Sequence, residues 1–544
     1  MAAGYFLERC FRDTQHTEAI TVTAPGNNAS FREILTSDRF VYGAEIVSSR
    51  GPQSHDSPSA LASFAKDLLA DSRIGWISIT DNPGGGPMMP PDWIAAHVAD
   101  DPGRVVIHLT CKDMNRSGLE SAAWRYASEG FENILALTGD YPTGGYSGLA
   151  EPVFDLDSVA LIDLLRSMNE GLTVPGRGGK TETLGKTNFY IGCAVSPFKR
   201  HERELLPQFF KLVRKIAAGA EWIVPQLGYD MRKFHEIKLF LQARGINVPI
   251  IGNVYLLTKG VAKLFNSGKL AGCVVSNELL HKAEKYAAGP DKGKQFFREL
   301  AAKQLAVFKG LGFAGGYIGG VHAADGFGPI IELAESYGAD DWRGFFKEIM
   351  FSQVDEFFLF EHDKFSGLCD HAQFNQEYLK SLKRPVKSKQ VTLNYKLSRL
   401  VHGMAFTRDR ALWPLLKKIY ARWDRKPGFL SRMAYRVEKV SKLAMYGCQD
   451  CGDCSLPDCA YICPKKWCSK CQRNGPCGGS IDGRCELEDK DCIWARAYER
   501  LKYYGESETM LDRPPIYYDA KLKETSSWAN TFLDRDHSAK KNDE

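Results

Sequence analysis

VVIHLTCKDMNRSGLESAAWRYASEGFENILALTGDYP, residues 105–142, reads as one repeating unit. A short β-branched run, VVIHLT, is followed by GLESAAWRYASEG with helical periodicity. A second apolar run, NILALT, then ends in a Gly-Asp turn. Strand, helix, strand in this order is the βαβ unit of a parallel sheet. Outward from it the pattern repeats. YGAEIVS and WISIT precede it, and FYIGCAV, WIVPQL, VPIIGNV and GGYIGGV follow. Most of the gaps carry amphipathic text such as ALASFAKDLLAD, DSVALIDLLRSMNEG, LLPQFFKLVRKIAAGA and FHEIKLFLQARG. Eight strand–helix alternations predict an α/β fold, a (β/α)8 TIM barrel. A doubly wound open sheet is the alternative, and it is disfavoured because no GxGxxG follows a first strand. GCVVS, near Cys273, is treated as an elaboration after the seventh strand.

In a (β/α)8 barrel the C-terminal strand ends face the active site. Glu45 sits in strand one, Thr80 ends strand two, and His108 and Thr110 end strand three. Asp140 follows strand four, Ala194 and Ser196 strand five, and Gln226 ends strand six. The ordinary reading is that such residues cap the following helices. Glu45 stands out because it interrupts the apolar run AEIV. A carboxyl buried there has its pKa raised by desolvation and can act as a general acid; its structural alternative is a core salt bridge, with Arg50 as the nearest candidate. Asp140 lies in LTGDYP, a Gly-flanked turn that allows close approach of a ligand. DNPGGGPMMPPD, residues 81–92, predicts a mobile or ligand-hugging loop.

The chain has 544 residues with 71 Lys+Arg against 66 Asp+Glu, a net charge of +5 that gives no reason to invoke nucleic acid. No apolar run approaches the roughly 18 residues of a membrane span. Glu8 and Arg9 interrupt any signal-type core, so a cytoplasmic location is expected, where thiols stay reduced. The cysteines then divide the chain. Cys10, Cys111, Cys193, Cys273 and Cys369 are scattered, whereas ten of the 15 fall between Cys448 and Cys492. The predicted organisation is an N-terminal extension (1–37), the barrel (38–350), a basic helical connector (351–446), a small cysteine-rich metal-binding domain (447–505) and a C-terminal tail (506–544). The last stretch, DRDHSAKKNDE, reads as disordered.

The dense module runs Cys448-x2-Cys451-x2-Cys454-x4-Cys459-x3-Cys463-x4-Cys468-x2-Cys471-x5-Cys477-x7-Cys485-x6-Cys492. Close C-x2-C spacing lets two thiolates reach one centre. Cys448, Cys451 and Cys454 with a more distant fourth thiolate suit a 4Fe–4S cluster. Four of the later cysteines suit zinc or a second cluster.

HLTCKDMNRSGLES (108–121), GFENILALTGDYP (130–142), FYIGCAVSP (189–197) and AGAEWIVPQLGYD (218–230) together resemble the methylenetetrahydrofolate reductase family, in the correct order. The resemblance implies a flavin-binding barrel that interconverts 5,10-methylenetetrahydrofolate and 5-methyltetrahydrofolate in one-carbon metabolism, as in methionine biosynthesis. It makes Glu45 the general acid that protonates folate N10 and Asp140 the carboxylate beside flavin and pterin. Gln226, with Glu45, becomes a folate-binding residue. Thr80, His108, Thr110, Thr138, Gly139, Asp140, Ala194 and Lys215 become flavin contacts, and hydride passes from flavin N5 to the substrate. FAD is implied first and FMN second. Ser196, Gln208, Leu227 and Gly228 depart from the family pattern, which leaves the flavin tail and the NAD(P)H side open.

CPKKWCSKCQRNGPCGGSIDGRCE followed by CIWARAYERL resembles the cysteine-rich C-terminal domain attached to some of these reductases; a related zinc and iron–sulfur subunit accompanies the reductase in acetogenic bacteria. That resemblance implies eight ligands: Cys448, Cys451, Cys454, Cys463, Cys468, Cys477, Cys485 and Cys492. Cys459 and Cys471 are extras. The implied donor is NAD(P)H or, through a relay in the module, ferredoxin or another redox protein, and a homo-oligomer is expected. The alternative is a folate- or flavin-binding subunit of a larger one-carbon complex, with a structural zinc module.

Overall fold

The computed structural model describes residues 29–539, apart from 53–59, 99, 177, 179, 271, 384–386 and 512. Eight parallel strands form its centre: β1 Val41–Ile46, β2 Ile74–Ile79, β3 Val105–Thr110, β4 Asn133–Leu137, β5 Tyr190–Val195, β6 Trp222–Pro225, β7 Ile251–Tyr255 and β8 Gly315–Gly319. They pair in the order β6-β5-β4-β3-β2-β1-β8-β7. The two ends of that row meet, because Ile223 bridges Ile250 in parallel and its N–H donates to Pro249 O at 3.0 Å. The sheet therefore closes into the (β/α)8 barrel expected from the strand count. Cys273 lies in a loop, not in a ninth strand.

Period-two alternation sorts the barrel interior into layers. Trp76 and Ser78 share one face of β2, Val106 and His108 one face of β3, and Ile251 and Asn253 one face of β7. The first of each pair joins an apolar layer with Leu135, Tyr190, Trp222 and Tyr317. The second lies nearer the C-terminal mouth and is polar. The indole of Trp76 lies over glycines of β1 and β8: a Cβ at Gly43 would lie 2.0 Å from its ring and one at Gly315 2.8 Å. The helix Phe31–Thr36 seals the opposite end. Phe31 meets Trp76 edge-on at 5.3 Å and Trp222 at 5.0 Å. The barrel unit thus begins inside the segment assigned by sequence to an N-terminal extension; residues 1–28 of that segment lie outside the described ones.

After the barrel the connector, read from sequence as helical, opens with a hairpin, Phe360–His362 paired antiparallel with Cys369–Phe374. The register places Phe360 opposite Phe374, with rings 4.9 Å apart. That alternation is too short to stand out beside basic helical text. Four helices follow, Gln376–Lys383, Leu393–Ala405, Leu412–Arg425 and Phe429–Tyr446. The cysteine-rich module docks back onto the barrel through the helix Ile493–Tyr503, where Tyr498 donates to Glu202 at 2.6 Å and Arg203 pairs with Glu499 at 3.2 Å.

The described part of DRDHSAKKNDE is ordered, contrary to the sequence expectation. His537 is clamped between Asp453, at 2.5 Å, and Asp458, at 2.9 Å. Burial opposes its charge, but the two carboxylates outweigh burial and push the imidazole up to about 10. A cation between two anions anchors a segment whose one apolar residue is Ala539. Residues 540–544 lie outside the described ones. Among the described residues no helix is long and apolar enough to cross a membrane.

Candidate active site at the barrel mouth

A cavity of about 300 Å3 opens at the C-terminal mouth. Glu45, Thr80, His108, Thr110, Thr138, Gly139, Asp140, Ala194, Lys215 and Gln226 all line it, so the predicted barrel residues converge on one space. They are not helix caps. The caps are separate residues: Asn115 accepts from Gly118, Asp157 from Val159 and Ala160, and Thr258 from Val261.

Glu45 faces the cavity and nothing else polar except one phenol: Tyr317 OH donates to its Oε1 at 3.4 Å. Among the described residues no cation pairs with it, so the salt bridge with Arg50 does not form. Desolvation raises its pKa, the Tyr317 hydrogen bond lowers it, and the net places the carboxyl at about 7. Gly319 leaves room for this group, since a Cβ there would meet Glu45 Oε2 at 2.4 Å. Glu45 and Ser78 are register partners on β1 and β2. Ser78 Oγ lies 2.8 Å from His108 Nε2, and the Tyr317 phenol also bonds Ser78. Burial lowers His108 to about 4, so its ring is neutral at pH 7. Glu45, Tyr317, Ser78 and His108 therefore form one hydrogen-bonded row across three adjacent strands and β8. Sequence reading missed Tyr317 and Ser78, which come beside Glu45 through strand register, β8 and β2 flanking β1.

Asp140 accepts from Gly84 N–H at 2.8 Å. The loop 81–92 is thus packed on the LTGDYP turn, and Thr143 Oγ1 donates to Gly84 O at 3.0 Å. Asp81, from the same loop, accepts from both the N–H and the hydroxyl of Thr110 at 3.0 and 2.7 Å. Thr110 is consequently occupied as a donor. Gln226 Oε1 accepts from Leu227 N–H at 3.0 Å, which leaves its amide N–H2 for the cavity. Asn253 donates to Pro225 O at 3.1 Å and also lines the space; it too was missed. Lys215 Nζ donates to Ala194 O at 2.7 Å, and burial lowers its pKa to about 8. Ser196 Oγ and Gln208 Nε2, two of the positions that depart from the family pattern, are buried without a hydrogen-bond partner among the described residues and face the cavity.

With this geometry in view, a family model described as methylenetetrahydrofolate reductase matches residues 30–313. The chain belongs to the methylenetetrahydrofolate reductase family. A second model, described as methylene-tetrahydrofolate reductase C terminal, matches residues 429–517. "Methylenetetrahydrofolate reductase 2" of Schizosaccharomyces pombe is 25% identical over 189 residues, 34% of this chain and 28% of that protein. "5,10-methylenetetrahydrofolate reductase" of Pectobacterium carotovorum is 25% identical over 205 residues, 37% of this chain and 60% of that protein. The chain thus spans less than two thirds of these relatives' length. A solved structure titled "Uncharacterized protein from Clostridium thermocellum binds two copies of 5-methyl-5,6,7,8-tetrahydrofolic acid" superposes with a TM-score of 0.40 at 12% identity, over 56% of this chain and 96% of that one.

In this member of the reductase family the C-terminal module completes the cavity wall. Lys470, Pro476, Cys477, Gly478, Gly479 and Glu486 line it beside the barrel residues. Lys470 Nζ donates to Gly139 O at 3.1 Å and pairs with Glu486 at 2.8 Å. The segment Asn474–Gly479 is held from below by the helix Glu202–Ala217. Lys211 donates to Gln472 and to Gly475 O, and Arg214 to Asn474.

The module's cysteines fall into two groups. Cys448, Cys451, Cys454 and Cys463 line one small cavity of about 20 Å3. Cys468, Cys485 and Cys492 each lie within electrostatic reach of Cys477. Cys459 lies beside Asp458 and Arg513, and Cys471 beside Arg473. Backbone N–H groups point at three sulfurs, Asp450 to Cys448, Gln472 to Cys468 and Gly479 to Cys477, each at 3.4 Å. N–H donors aimed at sulfur stabilise thiolates, and so the residues fit metal ligation.

Proposed function

We propose that the chain interconverts 5,10-methylenetetrahydrofolate and 5-methyltetrahydrofolate at the barrel mouth, with a flavin held in the cavity. The observation that supports this best is the carboxyl of Glu45, half protonated near neutral pH and facing a cavity shared with Gln226 and Asp140. Bound flavin supplies the two-electron hydride chemistry that the side chains lack. The unpartnered Ser196 hydroxyl and Gln208 amide, with the Lys215 amine, fit the polar edge of such a ring.

The chain's own residues then do three things. Glu45 gives its proton to folate N10, which opens the five-membered ring, and its carboxylate is stabilised by the Tyr317 hydroxyl. Asp140, oriented by Gly84 N–H, places a negative charge at the mouth that favours the cationic form of the opened folate. Gln226, its Oε1 fixed by Leu227, offers its N–H2 to the pterin. The test is a half reaction: anaerobic protein with its flavin photoreduced is mixed with 5,10-methylenetetrahydrofolate. Flavin absorbance returns and an equal amount of 5-methyltetrahydrofolate appears. Flavin that stays reduced overturns the reading.

The helix Glu202–Ala217 bears on the form of the flavin. Lys211 and Arg214 already donate to carbonyl and amide oxygens of Gln472, Asn474 and Gly475. A dinucleotide tail running past Lys215 would have to displace that segment, which favours FMN over the FAD first implied. Mass spectrometry of the released cofactor reads this directly, and FAD as the sole species refutes it.

Two four-thiolate groups would hold the module's metal, Cys448, Cys451, Cys454 and Cys463 in one and Cys468, Cys477, Cys485 and Cys492 in the other. A redox-active cluster in the second group would supply one-electron transfer at the cavity wall, since Cys477 belongs to both. That favours an electron-carrying module and a redox-protein donor over a structural zinc module.

A further inference from the structure

Away from the mouth, three chemically unlike side chains meet beneath the hairpin that follows the barrel. Glu236 projects from the helix Met231–Gln242 and is 0% exposed. His362 and Cys369 are register partners, directly opposite each other on the two hairpin strands. Cross-strand partners hold their Cβ atoms about 5 Å apart, so the pairing itself brings imidazole and thiol together. One ligand atom from each of Glu236, His362 and Cys369 lies within 4.8 Å of the others. None of the three lines the mouth cavity.

Their hydrogen bonding is incomplete on the side where they meet. Glu236 Oε1 accepts from the N–H groups of Leu359 and Phe360. Glu236 Oε2 and His362 Nε2 are buried with no hydrogen-bond partner among the described residues. A buried carboxylate oxygen and a buried ring nitrogen left this way are costly unless something joins them. Cys369 Sγ donates to Arg232 O at 3.5 Å, a bond that metal ligation would replace, while its backbone N–H donates to His235 Nδ1 at 3.2 Å and fixes the strand.

The surrounding charges also leave room for a cation. Arg232 pairs with Asp230 at 2.6 Å. Lys233 pairs with Glu356 at 3.5 Å, lies 4.2 Å over the Phe358 ring, and donates to Phe357 O; Glu236 Oε2 is farther, at 3.9 Å. Two cations and two anions thus offset one another. Glu236 as carboxylate and Cys369 as thiolate would add two negative charges, the amount a divalent ion neutralises.

We propose that Glu236, His362 and Cys369 bind one zinc-class divalent ion that staples the post-barrel hairpin to the barrel. The mixed oxygen, nitrogen and sulfur donors suit zinc, which accepts all three types, better than magnesium or calcium, which take oxygen. Bonds of about 2.0–2.3 Å in a tetrahedron set ligand atoms roughly 3.3–3.8 Å apart, so rotamer shifts of about 1 Å close the site around the ion. The two backbone N–H groups on Glu236 Oε1 orient the carboxylate from behind, as outer-shell donors do in metal sites. On charge and donor type the site is independent of the module's thiolates and of the flavin reading.

The test uses the full chain, expressed with zinc and purified anaerobically. His362→Ala and Cys369→Ser each lower zinc by one atom per chain relative to wild type, with iron content unchanged. Equal zinc in wild type and both variants overturns the proposal. If the variants do not fold, anomalous diffraction at the zinc edge on wild-type crystals decides it. A peak among the three side chains supports the site, and density for zinc only at the module's cysteines refutes it.

Discussion

Glu45→Gln is expected to leave a folded protein that binds flavin and is reduced by its donor as the wild type is, with folate turnover slower by roughly 100- to 10,000-fold, the range of a lost general acid. The amide keeps the shape and still accepts from Tyr317, so the thermal midpoint stays close to wild type. What it removes is the proton. The pH profile supplies a second reading. Burial raises the Glu45 pKa and the Tyr317 hydrogen bond lowers it, with the net at about 7. Reduction of the methylene substrate needs the protonated carboxyl, so its rate is level below pH 7 and falls above it. Oxidation of 5-methyltetrahydrofolate needs the carboxylate and shows the opposite limb. Tyr317→Phe removes the group that lowers this pKa, and the descending limb moves to higher pH. Stopped-flow measurement of flavin reoxidation across pH checks all three. A Glu45→Gln enzyme within a few-fold of wild type, or one whose pH limb is unchanged, assigns the proton to another group.

The parts of this site that were legible in sequence are those with a one-dimensional signature. The strands show as β-branched runs, and Glu45 shows because a carboxylate breaks one of them. The TGDYP turn and the cysteine spacing are equally local. Tyr317 and Ser78 carry no such mark, since a tyrosine or a serine within a strand is ordinary; their role comes from register, β8 and β2 flanking β1 in the closed sheet. The insertion of Asn474–Gly479 into the barrel mouth was hidden for the same reason. Nothing local in NGPCGG points to the barrel, and only the fold shows that residues more than two hundred positions earlier hold it. The ordered tail is a further case. DRDHSAKKNDE lacks a large apolar residue, but one histidine set between Asp453 and Asp458 provides the anchor that composition says is missing. Electrostatic anchors between distant segments leave little trace in local composition.

Asp157→Ala is expected to lower stability by about 3–5 kcal/mol, the cost of removing one partner from a buried charge network. Asp157 is 3% exposed and serves two structures at once. Its Oδ1 caps the helix Ser158–Glu170 through Val159 and Ala160, at 3.1 and 3.3 Å. It also receives the two N–H groups of Asn474, at 2.9 Å from the backbone and 3.1 Å from the side chain. Lys211 and Arg214, 2% and 5% exposed, stand beside it and donate only to uncharged oxygens of the module. Alanine removes the carboxylate that acts on both of them, Asp458 acting on Arg214 as well, and leaves two N–H groups of Asn474 without this acceptor. The consequence reaches the chemistry, because Asn474 leads the segment whose Cys477 and Gly478 form the cavity wall. Burial alone would raise the Asp157 pKa, but Lys211 and the Asn474 and Ala160 amides outweigh it and hold the carboxyl below its ordinary value. A carboxyl lowered in the folded state stabilises the protein above its unfolded value, about 4, and that contribution is lost as pH falls through the folded value. Wild type therefore loses stability more steeply in acid than Asp157→Ala does, and the two denaturation midpoints converge below pH 4. Urea unfolding followed by tryptophan fluorescence at pH 7 and in acid gives both quantities. A loss under 1 kcal/mol at pH 7, or a difference independent of pH, means that the module is held by its helix Ile493–Tyr503 and not by the Asp157 network.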